Sequence, residues 1–221
     1  MKQGRHYLNR AKNLFLDIAC FLNGMTKKIV FKVLQDEESG FFPDIEIQYL
    51  VDKGLIKNHI FYVTLHNVIM EMGQELVSQE YPDEPGKRTR LMGQRDVLCV
   101  LRDYSGTDSV RSINLNYNHQ REEEVTVQFE ALKKMSSLRF IMLRVSKRQW
   151  SSSSNDGMSC YTFKHLKYME WDWFPFKSLD SIDMGNVVVI KFAIKHIEKT
   201  LGRSQGNDPL IIYFHESDKI Y

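Results

Sequence analysis

The chain has 221 residues, 43% of them hydrophobic and 26% charged, an ordinary globular composition with room for one or two cores. Thirty basic against 28 acidic side chains leave a net charge of +2, which gives no electrostatic basis for binding nucleic acid or an anionic membrane. Cys20, Cys99 and Cys160 are far apart and odd in number, which fits neither a disulfide framework nor zinc-ligand spacing and favours a reducing compartment.

Lys2, Arg5, Arg10 and Lys12 precede the apolar run Leu14–Leu22, a superficial likeness to a secretory signal. Asp17 interrupts the run and no small-residue cleavage pattern follows, so it reads instead as a buried helix stopped by Asn23-Gly24. No apolar stretch approaches the length that spans a bilayer. Thr26 is placed to cap a second helix with Ile29, Val30, Val33 and Leu34 on one face. A loop with Gly40 and Pro43 leads to a third helix, capped by Asp44, packed through Ile45, Ile47, Leu50 and Val51, and ended by Gly54. Leu55-Ile56-Lys57 and Ile60-Phe61-Tyr62-Val63 flank Asn58-His59 as a small hairpin.

A fourth helix begins near Leu65, from which Val68, Ile69, Met72, Leu76 and Val77 fall on one helical face. His66 lies in its first turn, where unpaired backbone N–H groups favour an anion, so the position suits phosphate sensing better than catalysis. Helices, hairpin and helix give a winged-helix-like order. Nucleic-acid-binding winged helices carry a basic recognition helix, whereas Asp44–Lys53 sets Asp44, Glu46 and Asp52 against Lys53. A winged-helix nucleic-acid-binding protein is therefore the alternative reading, and a structural winged-helix module the preferred one.

Tyr81 to Gly93 reads as a polar connector, followed by a short helix over Asp96–Leu101. From Val110 the texture changes to short apolar strands. Leu138-x-x-Ile141-x-Leu143, Leu166-x-x-Met169-x-Trp171 and Val187-x-x-Ile190-x-Phe192 each fit a leucine-rich-repeat strand template, at intervals of 28 and 21 residues. The asparagine usual after such strands is missing from all three. Trp150 to Gly157 is a serine-rich exposed loop, and Trp171, Trp173, Phe174 and Phe176 form an aromatic cluster read as core.

Nothing in the sequence assembles an enzyme. Gly86-Lys87-Arg88-Thr89 looks like half of a phosphate-binding loop, but Tyr81 and Arg88 stand where glycine and serine or threonine are needed, and Pro82 and Pro85 occupy the place of the preceding strand. It reads as a solvated basic turn. Cys20 lies inside an apolar helix, where a thiol resists ionisation, and Cys99 is on the apolar side of a short one.

Several segments in fixed order carry a specific resemblance: Asn13–Gly24, Tyr49–Ile56, Tyr62–Val77, Glu84–Leu91, Asp96–Leu101 and Gly106-Thr107. This series resembles the plant intracellular disease-resistance receptors of the TIR-type nucleotide-binding, leucine-rich-repeat family, over the end of the nucleotide-binding (NB-ARC) module and the first repeats. The resemblance implies an α+β chain, a mainly helical winged-helix-like domain followed by a short, irregular leucine-rich-repeat solenoid. It divides the chain into an unassigned extension (1–12), a winged-helix-like subdomain (13–80), a connector with a short helix (81–109) and the start of the repeats (110–221). Met1 to Arg10 matches no family motif and reads as a truncated or alternative start.

In that family a Met-His-Asp motif on the winged helix closes over bound ADP, its histidine facing a phosphate. The matching positions are Leu65, His66 and Asn67. His66 keeps the phosphate contact that the resemblance implies. Asn67 can still hydrogen-bond, but it lacks the carboxylate that helps hold the family's resting state closed. The resemblance further implies a cytoplasmic, non-enzymatic module in defence signalling. Its partners would be proteins met through the repeats, or a nucleotide-binding module of another receptor chain, with no nucleic acid, membrane, metal or ADP held by this chain alone. Leu14–Leu22, cut off from such a module, is expected to expose an apolar patch.

Overall fold

The computed structural model describes residues 2–35, 43–116, 129–144, 161–172, 182–183, 185–193 and 211–215. They form two compact units, Met1–Pro82 and Asp83–Tyr221.

The first unit opens with α1 (Lys2–Asp17), which includes the N-terminal residues left unassigned above and runs directly into a π-helical turn, Ile18–Leu22. Every residue of that turn is buried, as are Leu14 and Leu16. The expected apolar patch on Leu14–Leu22 is thus absent, because the run is enclosed within its own unit. Asn23-Gly24 stops the helix as read, with Gly24 in the left-handed region at φ +80°. In α2 (Lys27–Leu34), Ile29, Val30, Val33 and Leu34 are all buried, and Thr26 occupies the cap position without a side-chain cap bond.

The third helix, α3 (Pro43–Asp52), departs from its sequence reading at one turn. Ile45 is exposed and Glu46 is buried. Arg10 of α1 lies 3.5 Å from the Glu46 carboxylate, and this cation 36 positions upstream makes burial of the acid tolerable. The helix closes as predicted at Gly54 (φ +69°): the Gly54 and Leu55 N–H groups donate to the carbonyls of Val51 and Leu50 at 2.9 Å each, capping the last turn.

Strands β1 (Ile56–Asn58) and β2 (Val63–Leu65) pair antiparallel. The turn between them is longer than expected, and it leaves Ile60, Phe61 and Tyr62 exposed. The extended segment after Gly24 adds to the hairpin through Lys27 N–H to Phe61 O (2.8 Å) and Val63 N–H to Met25 O (2.9 Å). Next comes α4 (Asn67–Ser78), described below with the site.

The second unit is a six-stranded parallel sheet. Its order is β10 (Ile211–His215), β9 (Val189–Ala193), β7 (Tyr168–Asp172), β5 (Phe140–Arg144), β4 (Ser112–Asn116) and β3 (Arg90–Met92). Two short strands, β6 (Tyr161–Thr162) and β8 (Ile182–Asp183), form a separate parallel pair. In the large sheet the register aligns Ile113, Ile141, Met169 and Ile190 in one row, and Leu115, Leu143, Trp171 and Phe192 in another. Both rows face one core with Leu138, Leu166 and Val187, so each apolar position of the three templates is buried. Trp171 is core as read; Trp173, Phe174, Phe176, Cys160 and the serine-rich loop lie outside the described residues.

The segment 83–109 is more than a connector: it supplies the edge strand β3 and helix α5 (Gln94–Arg102), whose Val97, Val100 and Leu101 belong to the same core. The half phosphate-loop segment is likewise not solvated throughout. Pro85–Lys87 is a 3-10 turn with Gly86 buried, and the largely buried Arg88 guanidinium meets Asp96 of α5 at 2.6 Å.

On the opposite sheet face, Arg144 Nε lies 2.5 Å from Glu170 Oε1, the Tyr168 hydroxyl donates to Glu170 Oε2, and Lys191 Nζ approaches that oxygen at 3.8 Å. Burial alone would push the Glu170 carboxyl up. The bonds from Arg144 and Tyr168, with the charges of Arg144 and Lys191, outweigh it and hold the group below its usual 4.5. A folded pKa below the unfolded one contributes stability above the unfolded value, and this is lost as pH falls through the folded value. Glu170→Gln is therefore expected to cost about 1.5 kcal/mol at pH 7. Melting curves of the two proteins should converge as pH is lowered from 7 to 3, and a gap independent of pH would refute this account.

Candidate functional site

The site indicated by the sequence is the entry to α4. Leu65, His66 and Asn67 are consecutive, but they face different ways. Leu65 ends β2 and is buried, with its N–H donating to Asn23 Oδ1 at 2.9 Å. His66 is the N-cap residue at φ −70°, ψ 145°, exposed, and makes no side-chain cap bond. Asn67 is the exposed first residue of the helix, and the first turn carries no acidic side chain. The strand alternates side chains in and out, so a buried Leu65 turns His66 outward. The geometry presents an imidazole beside the unpaired N–H groups of a helix start, an arrangement suited to an anionic oxygen.

What positions this entry was not visible in the sequence. Asn23, which follows the π-turn, reaches both sides of the site: its Oδ1 accepts from Leu65 N–H, and its Nδ2 points at Met70 Sδ at 3.2 Å. Gln74 of α4 donates through Nε2 to the Ala19 carbonyl at 3.0 Å, capturing an acceptor inside the π-turn. Between these polar contacts α4 meets α1 and the π-turn at Gly73. A Cβ built on Gly73 would stand 2.6 Å from the Ala19 Cβ and 3.2 Å from the Phe15 ring.

That close approach rotates α4 away from the face predicted by periodicity. Gly73 and Val77 are its buried residues, whereas Val68, Met72 and Leu76 are exposed. Counting apolar side chains identifies a stripe but is blind to a glycine, which packs through its backbone.

No group of three or more His, Cys, Asp or Glu able to hold a metal ion occurs among the described residues. Cys20 is buried and Cys99 half-buried, and neither forms a disulfide. No helix of the described residues is long and apolar enough to cross a membrane.

Three helices, a two-stranded wing and a further helix with an outward histidine at its start define the first unit as a winged-helix domain. Residues 9–80 match the family model described as the Disease resistance protein Roq1-like winged-helix domain. Disease resistance protein RUN1 of Vitis rotundifolia is 29% identical over 211 residues, which is 85% of this chain and 16% of that protein. RPP2B of Arabidopsis thaliana is 26% identical over 194 residues, with the same coverage of each chain. RRS1 of Arabidopsis thaliana is 27% identical over 218 residues, or 90% of this chain and 16% of its own length. The chain is similar to plant disease-resistance proteins over most of its length, and spans about 16% of the length of the curated relatives it matches.

Proposed function

We propose that this chain is a non-enzymatic regulatory and protein-interaction module of a plant defence receptor, acting in the cytoplasm, with a winged helix that contributes a phosphate contact and leucine-rich repeats that contribute a partner surface. The observation that carries the reading is the parallel stack of the second unit. Ile113, Ile141, Met169 and Ile190 align across four strands, in a unit that follows in the sequence a domain of Roq1-like winged-helix type. Parallel strands recurring every 20–30 residues, each contributing the same apolar positions to a shared core, are how such repeats bury a face that no single repeat can cover.

His66 serves as the phosphate contact, with Leu65 anchoring it from within and Asn67 opening the helix. This contact is one part of a nucleotide site whose remainder comes from a nucleotide-binding module. One histidine and one helix terminus contribute about 1–2 kcal/mol. Micromolar affinity requires roughly 8 kcal/mol. The chain by itself should therefore not retain ADP. Calorimetric titration of ADP into the pure full chain is expected to give no saturable heat in the low-micromolar range. Low-micromolar binding would overturn the proposal by showing a complete nucleotide site within these residues.

The nucleic-acid alternative finds no support in α3. Its acidic Asp44 and Asp52 are exposed and its Glu46 is engaged by Arg10.

A further inference from the structure

Helix α4 has one broad apolar arc and only part of it is covered. Gly73 and Val77 point inward, while Val68, Met72 and Leu76 are 57%, 57% and 49% exposed. These three lie at successive four-residue steps, so they form a single stripe about 12 Å long on one side of the helix. Exposed single apolar residues are ordinary, but an aligned set of large ones on a helix otherwise free to carry polar side chains marks a contact surface. One border of the stripe is acidic, and the other runs through Ile69 to the covered Gly73. Glu71 and Glu75 are both exposed, α4 contains no lysine or arginine, and among the described residues neither carboxylate has an ion-pair partner; Glu75 accepts only from Gln79, at 2.9 Å.

The charge pattern selects among occupants. A second copy meeting the same stripe about a two-fold axis would bring Glu71 and Glu75 against their own equivalents, and like charges across an interface are unfavourable. An anionic bilayer is repelled for the same reason. A partner whose apolar groove is bordered by lysine or arginine satisfies both the stripe and its rim. We infer that α4 is a helix-in-groove ligand: it docks through Val68, Met72 and Leu76 into an apolar groove rimmed by basic side chains on a partner protein. This deepens the interaction-module reading by naming the partner's chemistry, and it requires neither the His66 phosphate contact nor the sheet of the second unit.

The test uses the full chain and two synthetic, fluorescently labelled two-helix hairpins with the same leucine-lined groove. One groove is rimmed by lysines and the other by glutamates. By anisotropy the lysine-rimmed hairpin is expected to bind at least tenfold more tightly, with the preference shrinking as salt rises from 50 to 300 mM. The pair Met72→Gln and Leu76→Gln, both at exposed positions, should abolish binding with no change in the melting curve. The pair Glu71→Lys and Glu75→Lys should invert the preference between hairpins. Equal binding of the two hairpins, binding of neither, or wild-type binding by the glutamine variant would each overturn the inference. So would a dimer dispersed by the glutamine variant, or retention on vesicles of phosphatidylcholine and phosphatidylserine. The ADP titration is unaffected by any of these results, so the two readings fail separately.

Discussion

Gly86→Ala is expected to destabilise the second unit by about 3 kcal/mol, the upper part of the range for overpacking a filled interior. A Cβ on Gly86 would sit 2.1 Å from the Ser105 carbonyl oxygen and 2.7 Å from its carbon. The obstacle is backbone, and it has little room to retreat. Ser105 N–H bonds Val100 O at 3.2 Å, and the preceding Tyr104 holds a left-handed conformation at φ 52°, with its ring packed on the core. Lys134 Nζ donates to the Tyr104 carbonyl at 3.0 Å. From the other side, the Thr107 N–H and hydroxyl both donate to the Gly86 carbonyl, at 3.0 and 2.9 Å. Either the 3-10 turn lifts off and strands these donors, or the end of α5 shifts and disturbs Val100 and Leu101 in the core. Gly93→Ala separates sterics from backbone preference, because Gly93 has φ +80° with nothing near its missing Cβ. At φ 80°, ψ 134° it lies outside the left-handed helical well, in a region that glycine alone enters readily, so alanine should cost about 2 kcal/mol from backbone conformation alone. Urea or thermal melts of the two variants settle the matter, with a fall of roughly 10 °C for Gly86→Ala. Equal, small effects would show that the two backbone segments are not held as described.

The difference between those glycines also marks where the sequence is legible. Gly24 and Gly54 could be read as helix stops because a left-handed residue after an apolar periodic run is a local signal, and both have positive φ. The apolar face of α2 and the strand templates were legible for the same reason: periods of 3.6 and 2 are properties of one segment. Gly86 and Gly73 are small because of something distant in the chain, the carbonyl of Ser105 in one case and the methyl of Ala19 in the other. Glu46 reads as a surface residue until Arg10 is placed beside it. The π-turn at Ile18–Leu22 has no sequence signature, and one of its carbonyls is bonded by Gln74, 55 positions away from Ala19. At the candidate site, a motif comparison could find His66, and alternation along β2 explains its outward direction. Asn23 and Gln74 hold that entry in place through long-range hydrogen bonds, which leave no periodic trace. Residues 90–92 were missed as a strand because three residues are too few to establish alternation, and only the register Leu91↔Ile113 makes them part of the sheet.

The second large effect is expected at Gly73, and it links packing to the candidate site. Alanine is the better helix former by about 1 kcal/mol. On propensity alone Gly73→Ala would stabilise α4. The contact reverses the sign: 2.6 Å between Cβ atoms is far inside van der Waals distance, and the Ala19 methyl is fixed to the backbone of a fully buried π-turn, so the helices must separate. Separation opens gaps around Phe15 and stretches the Gln74–Ala19 bond, and the net loss should be about 2 kcal/mol. Ala19→Gly removes the obstructing methyl and alone costs about 1 kcal/mol. If the two methyls are the whole conflict, the double variant should be more stable than Gly73→Ala alone, with a coupling energy of about 3 kcal/mol in the cycle, since the clash also hides the helix-propensity gain of alanine. Because α4 carries His66 at its start, the imidazole resonances should move in Gly73→Ala and return in the double variant. Additive behaviour of the two substitutions, or a Gly73→Ala protein as stable as the parent, would mean that α4 is not seated on the π-turn, and the placement of the His66 entry would fall with it.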